Sequence, residues 1–222
     1  MLPHIKAVII DLDGTMIDTA PDFHIAVNRM RADLQLPSLS LRTIVNYVGK
    51  GTENLIRSVL SVDNDTKPVE QYFDQALSLY LDHYQQINGN HATVYPGVTE
   101  GLALMKKKML RLACVTNKPR AFAVPLLEQK GLSSYFEVIY GGDSFPKKKP
   151  DPMPFLQVYE DFDVSPSQVV AIGDSSNDAL AARAAGCHIL SVPYGYNHGE
   201  SVQNLDSDGI VQTLLEAAEQ FS

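Results

Sequence analysis

The sequence predicts an α/β protein: a parallel sheet flanked by helices, with an all-helical insert after the first strand. Three observations predict it. Short β-branched runs alternate with helix-length patterns along most of the chain. Between Asp18 and about Asn90 the alternation stops and only helix signals remain. Four loops rich in Asp, Lys, Thr and Asn follow directly on strand-like runs, where open parallel sheets bind their ligands.

The first strand is the run Ala-Val-Ile-Ile at residues 7–10, continuous enough to be buried on both faces of a sheet. Residues 18–90 then read as helices. Pro21 stands at a first helical position, ahead of Phe23, Ala26, Val27, Met30 and Leu34 at helical spacing. Ser40 and Thr52 are expected N-caps, the second leading into Leu55, Ile56, Val59 and Leu60. A longer pattern runs from Pro68 through Phe73, Ala76, Tyr80 and Tyr84, whose aromatics read as bundle core. Beyond the insert, residues 110–115, 169–172 and 188–192 are further strands, with 138–140 a weaker one. Helices are expected over 98–108, 120–129 and 177–185, the last two ending at Gly131 and Gly186. Such alternation gives βαβ units. Residues 210–221 read as a closing helix.

The chain has 222 residues, 45% hydrophobic and 20% charged, an ordinary globular composition with enough length to bury a core unaided. A formal charge of −8 argues against nonspecific nucleic-acid binding and against anionic membranes. It leaves room for a locally positive site and an anionic substrate. Cys114 and Cys187 lie inside apolar runs and are expected to be buried, in a reducing compartment. No signal-peptide pattern or membrane-length apolar stretch is found, so the expected location is cytoplasmic. The six histidines share no ligand spacing, and His198 is left open as a rim residue.

The strand-end loops carry the chemistry. In Asp11-Leu12-Asp13-Gly14-Thr15, two carboxylates two residues apart can face one side, and a hard cation such as Mg2+ relieves their repulsion. Taken alone the motif is equally an acidic turn. Thr116-Asn117 offers a hydroxyl and an amide to phosphate oxygens, or is simply a turn. Within Lys147-Lys148-Lys149-Pro150, Lys149 is expected to point inward, fixed by the proline after it, while Lys147 and Lys148 lie on the surface. In Gly173-Asp174-Ser175-Ser176-Asn177-Asp178, one Asp would ligate a metal and the other support it, unless Asp174 only caps a helix.

Together, in this order, these motifs resemble the haloacid dehalogenase-like hydrolase superfamily over essentially the whole chain. Val48-Gly49-Lys50-Gly51-Thr52, Tyr95-Pro96-Gly97-Val98 and Tyr194-Gly195-Tyr196-Asn197 look like its bacterial phosphoglycolate phosphatase branch. The resemblance implies a Rossmann-like parallel sheet with helices on both faces plus an inserted C1 cap, dividing the chain into a core of residues 1–17 and 91–222 and a cap of residues 18–90. It implies a phosphate monoester hydrolase acting on 2-phosphoglycolate, with Asp11 as nucleophile and Asp13 as acid and base. Mg2+ would be held by Asp11, the Asp13 backbone carbonyl and Asp174, with Asp178 behind them. Thr116, Asn117 and Lys149 would bind the phosphoryl oxygens. Lys50 is expected to meet the substrate carboxylate.

The second aspartate separates the chain from dehalogenases, which lack it. Gly173 stands where β-phosphoglucomutase-like members usually carry Glu, and Lys50 keeps phosphonoacetaldehyde hydrolases in view. The rival readings are the same chemistry on a sugar phosphate or pyrophosphate, and a non-catalytic regulatory member of the fold. The expected partner is a small anionic phosphorylated metabolite, with no nucleic acid and no membrane, in a monomer or homodimer.

Overall fold

In a computed structural model, residues 4–62 and 69–221 are described. The apolar runs form β1 (Ala7–Ile10), β4 (Arg111–Val115), β5 (Val138–Tyr140), β6 (Val169–Gly173) and β7 (His188–Ser191). With β8 (Gly209–Ile210) they make a six-stranded sheet in the order β5-β4-β1-β6-β7-β8, every pairing parallel. Alternate residues feed two separate cores. Val8, Ile10, Leu112, Cys114, Val170 and Ile172 face one. Ala7, Ile9, Ala113, Val115, Val169 and Ala171 face the other. That is why these strands read as unbroken apolar runs.

Helices cover both faces. The first carries α5 (Val98–Lys107), α6 (Arg120–Gln129) and α9 (Leu214–Glu219); the second carries α7 (Met153–Phe162) and α8 (Ser176–Ala185). Between two short strands, β2 (Ile17–Asp18) and β3 (Thr93–Val94), lies the helical insert: α1 (Ala20–Asp33), α2 (Leu41–Val45), α3 (Thr52–Ser61) and α4 (Val69–Ile87). It has its own core, in which Phe23, Tyr80 and Tyr84 stack face to face. β2 and β3 pair antiparallel, so the chain enters and leaves the cap through one narrow neck. Buried Asp22 reinforces that neck by accepting from the Gly89 and His91 backbone N–H groups at 2.7 and 2.9 Å.

Some elements differ from expectation. Ser40 caps α2, its hydroxyl accepting from the Thr43 N–H, but Gly51 occupies the cap position of α3 and Thr52 is its first helical residue. α1 begins at Ala20, one residue before Pro21. The expected helix over 210–221 is a strand, β8, followed by the shorter α9, which Thr213 caps. Pro68, where the long cap pattern was expected to begin, lies outside the described residues. α7 was not anticipated. Both cysteines are buried and free. Among the described residues no helix is long and apolar enough to cross a membrane.

Candidate active site

β4, β1 and β6 are neighbours in the sheet, so their carboxyl ends bring Thr116, Asp11 and Asp174 side by side. Asp11 is held in line by its N–H to the Ile172 carbonyl. The chain then turns at Gly14, with φ +84°, where a side chain would meet the Asp174 carboxylate at 2.6 Å. Gly195 approaches Asp174 from the other side, and a Cβ there would stand 2.2 Å from the Asp174 Cβ. Only hydrogen at these two positions lets three loops close on one carboxylate.

Asp174 accepts from the Thr15 hydroxyl at 2.8 Å and from the Tyr196 N–H at 2.7 Å. Lys149 is buried beneath this layer. Its ammonium donates to the Val115 carbonyl (2.6 Å) and Asp178 (2.7 Å), and pairs with Asp11 at 2.8 Å. Asp178 also accepts from the Ser175 N–H and hydroxyl, in the first turn of α8. Ser175, not Asp174, is therefore the cap of α8, and Asp174 is left to face the site.

Carboxylate oxygens of Asp11, Asp174 and Asp178 lie within 4.8 Å of one another. Burial first, and then the neighbouring carboxylates Asp178 and Asp174, push the Asp11 pKa up to about 8 despite Lys149. Burial and Asp178 push Asp174 up to about 6. For Lys149, burial works against the charge, but Asp11 and Asp178 outweigh it and hold the pKa above the ordinary lysine value. Asp11, Asp13, Asp174 and Asp178 set four carboxylates against the two buried ammonium groups of Lys149 and Lys118. One divalent cation would cancel the difference, and an all-oxygen donor set suits a hard ion such as Mg2+.

Asp13 lies apart from the three-carboxylate cluster. It accepts from the Thr19 hydroxyl at 2.7 Å and from the Lys118 ammonium at 2.9 and 3.2 Å. Thr116 is buried, and its hydroxyl oxygen accepts from the Lys118 N–H, with no acceptor for its O–H among the described residues. The Asn117 amide is spent elsewhere: it donates to the Gly49 and Lys149 carbonyls at 2.9 and 2.8 Å. Asn177 donates to the same Gly49 carbonyl at 3.1 Å. The cap is thus closed on the core. The cavity between them, walled by Asp11, Asp13, Thr116 and Lys118 on one side and by Phe23 and Leu55 on the other, holds about 30 Å³.

A family model of haloacid dehalogenase-like hydrolases matches residues 8–192. The chain belongs to this family. Two of its relatives are the phosphoglycolate phosphatases of Thiobacillus denitrificans and Nitrosospira multiformis. They are 49% identical to it over 214 and 213 residues, in each case 96% of this chain and 94% of the relative. A crystal structure of a predicted phosphoglycolate phosphatase from Haemophilus somnus superposes with a TM-score of 0.93 at 30% identity, covering 97% of both chains.

In this haloacid dehalogenase-like hydrolase, Asp11, Asp13, Thr116, Lys149, Asp174 and Asp178 lie together at one end of the sheet. Lys50 does not join them. It is exposed and forms no part of the cavity wall. The glycines on either side, at φ +102° and +91°, turn the Gly49 carbonyl inward, so the loop offers the core its backbone and not its lysine. The Lys50 charge instead reaches His198, whose pKa is lowered by burial and then by Lys50. Lys147 is exposed and paired with Asp151, whereas Lys148 is half-buried, its ammonium close over Gly51.

Sequence reasoning missed Lys118 and Thr19, and quoted Thr15 and Tyr196 in motifs without giving either a role. The Tyr196 hydroxyl accepts from the Thr19 and Ala20 N–H groups at 2.7 and 2.9 Å and donates to Asp18, so one residue touches both Asp174 and the cap neck. Lys118 had one available signal: it directly follows Thr116-Asn117 at a strand end.

Proposed function

We propose that the protein is a Mg2+-dependent phosphate monoester hydrolase that acts on 2-phosphoglycolate through an aspartyl-phosphate on Asp11. The observation that carries the chemistry is the pair Asp11 and Asp13, both buried on one cavity wall, each against its own lysine. A nucleophile and a proton carrier are thereby separated in role by their partners. The choice of 2-phosphoglycolate rests on the relatives that share 49% of its residues.

An oxygen of Asp11 bonds to phosphorus as the ester P–O bond breaks. Asp13 enters this step as the neutral acid; the leaving oxygen takes its proton, and glycolate departs. Asp13, now a carboxylate, removes a proton from water, whose oxygen bonds to phosphorus. The phosphorus–Asp11 bond breaks, restoring Asp11 and releasing phosphate. Asp11, Asp174 and the Asp13 backbone carbonyl would hold Mg2+, with Asp178 steadying Lys149 behind them. When bound, the cation offsets negative charge on the phosphoryl oxygens and favours the ionised forms of Asp11 and Asp174.

The Thr116 O–H donates to a phosphoryl oxygen. For Asn117 the contact left is the backbone N–H, since its amide is engaged on Gly49 and Lys149. Lys149 holds Asp11 from beneath. Residues 18–90 act as a cap over a core of residues 1–17 and 91–222, excluding water from the intermediate. The partner is a small anionic metabolite met in the cytoplasm.

The test is phosphate release across 2-phosphoglycolate, common sugar phosphates and pyrophosphate, with Mg2+ and with chelator. The highest kcat/KM is expected on 2-phosphoglycolate, abolished by chelation. Faster release from a sugar phosphate or pyrophosphate overturns the substrate, and turnover that survives chelation overturns the metal.

A further inference from the structure

An acidic leaving group calls for a cation in the cavity wall, where Lys50 is absent and Lys118 is present. It is only 5% exposed, it lines the cavity, and its ammonium stands 2.9 Å from Asp13. Lys149 is engaged by Val115, Asp178 and Asp11 beneath the floor, so of the two buried lysines only Lys118 fronts the cavity.

Above Lys118 the cap lays two aromatic faces, with the ammonium 4.5 Å from the Phe23 ring centre and 4.9 Å from that of Tyr84. Such rings attract a cation and exclude water, which strengthens any charge pairing made there. The Tyr84 hydroxyl next to it is buried with no hydrogen-bond partner among the described residues. Burial, then Tyr80 and Asp13, raise its pKa, so it remains a protonated donor.

Resting on the phosphatase reading above, we infer that Lys118 is the specificity-determining residue of this site and receives a carboxylate carried by the leaving group. The ester oxygen must lie within hydrogen-bond reach of Asp13 to be protonated. In a two-carbon acid ester the carboxylate is one methylene beyond that oxygen, which is where an ammonium one hydrogen bond from Asp13 meets it. A longer substrate with a hydroxyl at that carbon would leave the buried ammonium facing a neutral group. Lys118 thereby touches both the proton carrier and the substrate, and selects acid esters over neutral ones.

The experiment compares 2-phosphoglycolate with ethyl phosphate, which puts a methyl where the carboxylate is, on wild type, Lys118→Met, Lys118→Gln and Lys118→Arg. Loss of a hydrogen bond to a charged group predicts that the ratio of kcat/KM values, acid over neutral ester, falls about 10- to 100-fold in Met and Gln. Arg should restore part of it. Gln keeps the test open if Met fails to fold.

The same ratio is read as dissociation constants on Mg2+-loaded Asp11→Asn enzyme, with and without the Lys118 change, so the answer does not depend on turnover. Equal losses on both esters, or a shifted pH profile with an unchanged ratio, mean that Lys118 serves Asp13 alone and overturn the inference. If wild type instead prefers a third ester, the substrate reading fails while the ratio still judges Lys118.

Discussion

Lys149→Met separates electrostatics from packing at the heart of the site. The Lys149 side chain is buried, and its ammonium sits on Val115, Asp178 and Asp11 at 2.6, 2.7 and 2.8 Å. Methionine fills similar volume with no charge. Asp11 and Asp178 would then face each other in a dry interior with no cation between them. Removing one partner of a buried ion pair costs about 3–5 kcal/mol. For a chain of this size each kcal/mol lowers Tm by roughly 2–4 °C, so a fall of about 6–20 °C is expected without metal.

Mg2+ is then the remaining source of positive charge beside Asp11. It should raise the Tm of the variant by more than it raises that of wild type. Urea unfolding and thermal melts, each with chelator and with Mg2+, measure both quantities. A loss below about 1 kcal/mol, or an equal Mg2+ shift in the two proteins, would refute the assigned charge balance.

Three further outcomes are expected. Asp11→Asn should abolish phosphate release yet melt no lower than wild type in chelator at neutral pH, because burial, Asp178 and Asp174 all disfavour the Asp11 charge; wild-type turnover would remove Asp11 as nucleophile. The Asp11 and Asp174 pKa values are raised from 3.8 to about 8 and about 6, so over that window the native state keeps protons that the unfolded chain has lost. Stability of the metal-free protein should therefore fall as pH rises from about 4 to about 8, and Mg2+ should flatten the fall; melts across that range decide it, and a Tm that climbs steadily in chelator would contradict it. Asn177→Ala removes one of two bonds to the Gly49 carbonyl, a neutral hydrogen bond worth about 0.5–1.5 kcal/mol. KM for 2-phosphoglycolate should rise about 2- to 10-fold with little change in unfolding midpoint, whereas a lower midpoint at constant KM would assign Asn177 to stability instead.

The legible parts of this protein are those written locally. Ala7–Ile10 is buried on both faces and reads so residue by residue, and Asp11 and Asp13 follow it directly. β8 was absorbed into a helix because two residues carry no periodicity. α7 was hidden by Pro150, Pro152 and Pro154, which read as loop although a helix tolerates proline in its first turn. Lys118 and Tyr196 escaped for a different reason. Their partners Asp13 and Thr19 lie 105 and 177 residues away in sequence, and only the fold makes them neighbours. Lys50 stood out by its flanking glycines, and the structure places it exposed, outside the cavity wall. Two flanking glycines marked the right loop, but what they free is the carbonyl between Val48 and Lys50.

The closed cap is also part of the site. The cavity lies between cap and core, with Phe23 and Leu55 on one wall and Asp11, Asp13, Thr116 and Lys118 on the other, so parting the two uncovers it. Among the contacts that tie cap to core are the two Asn bonds to the Gly49 carbonyl, the Asn88 amide on the Phe122 carbonyl and the seating of Lys118 under Phe23 and Tyr84. None of these holds Asp11, Asp174 or Asp178, whose partners all belong to the core. The carboxylate cluster thus takes these contacts from the core, with Tyr196 its link to the cap neck, while Lys118 beside Asp13 is covered by the cap. A substrate that brings no charge to Lys118 gains nothing from that cover, which makes closure itself part of the selection.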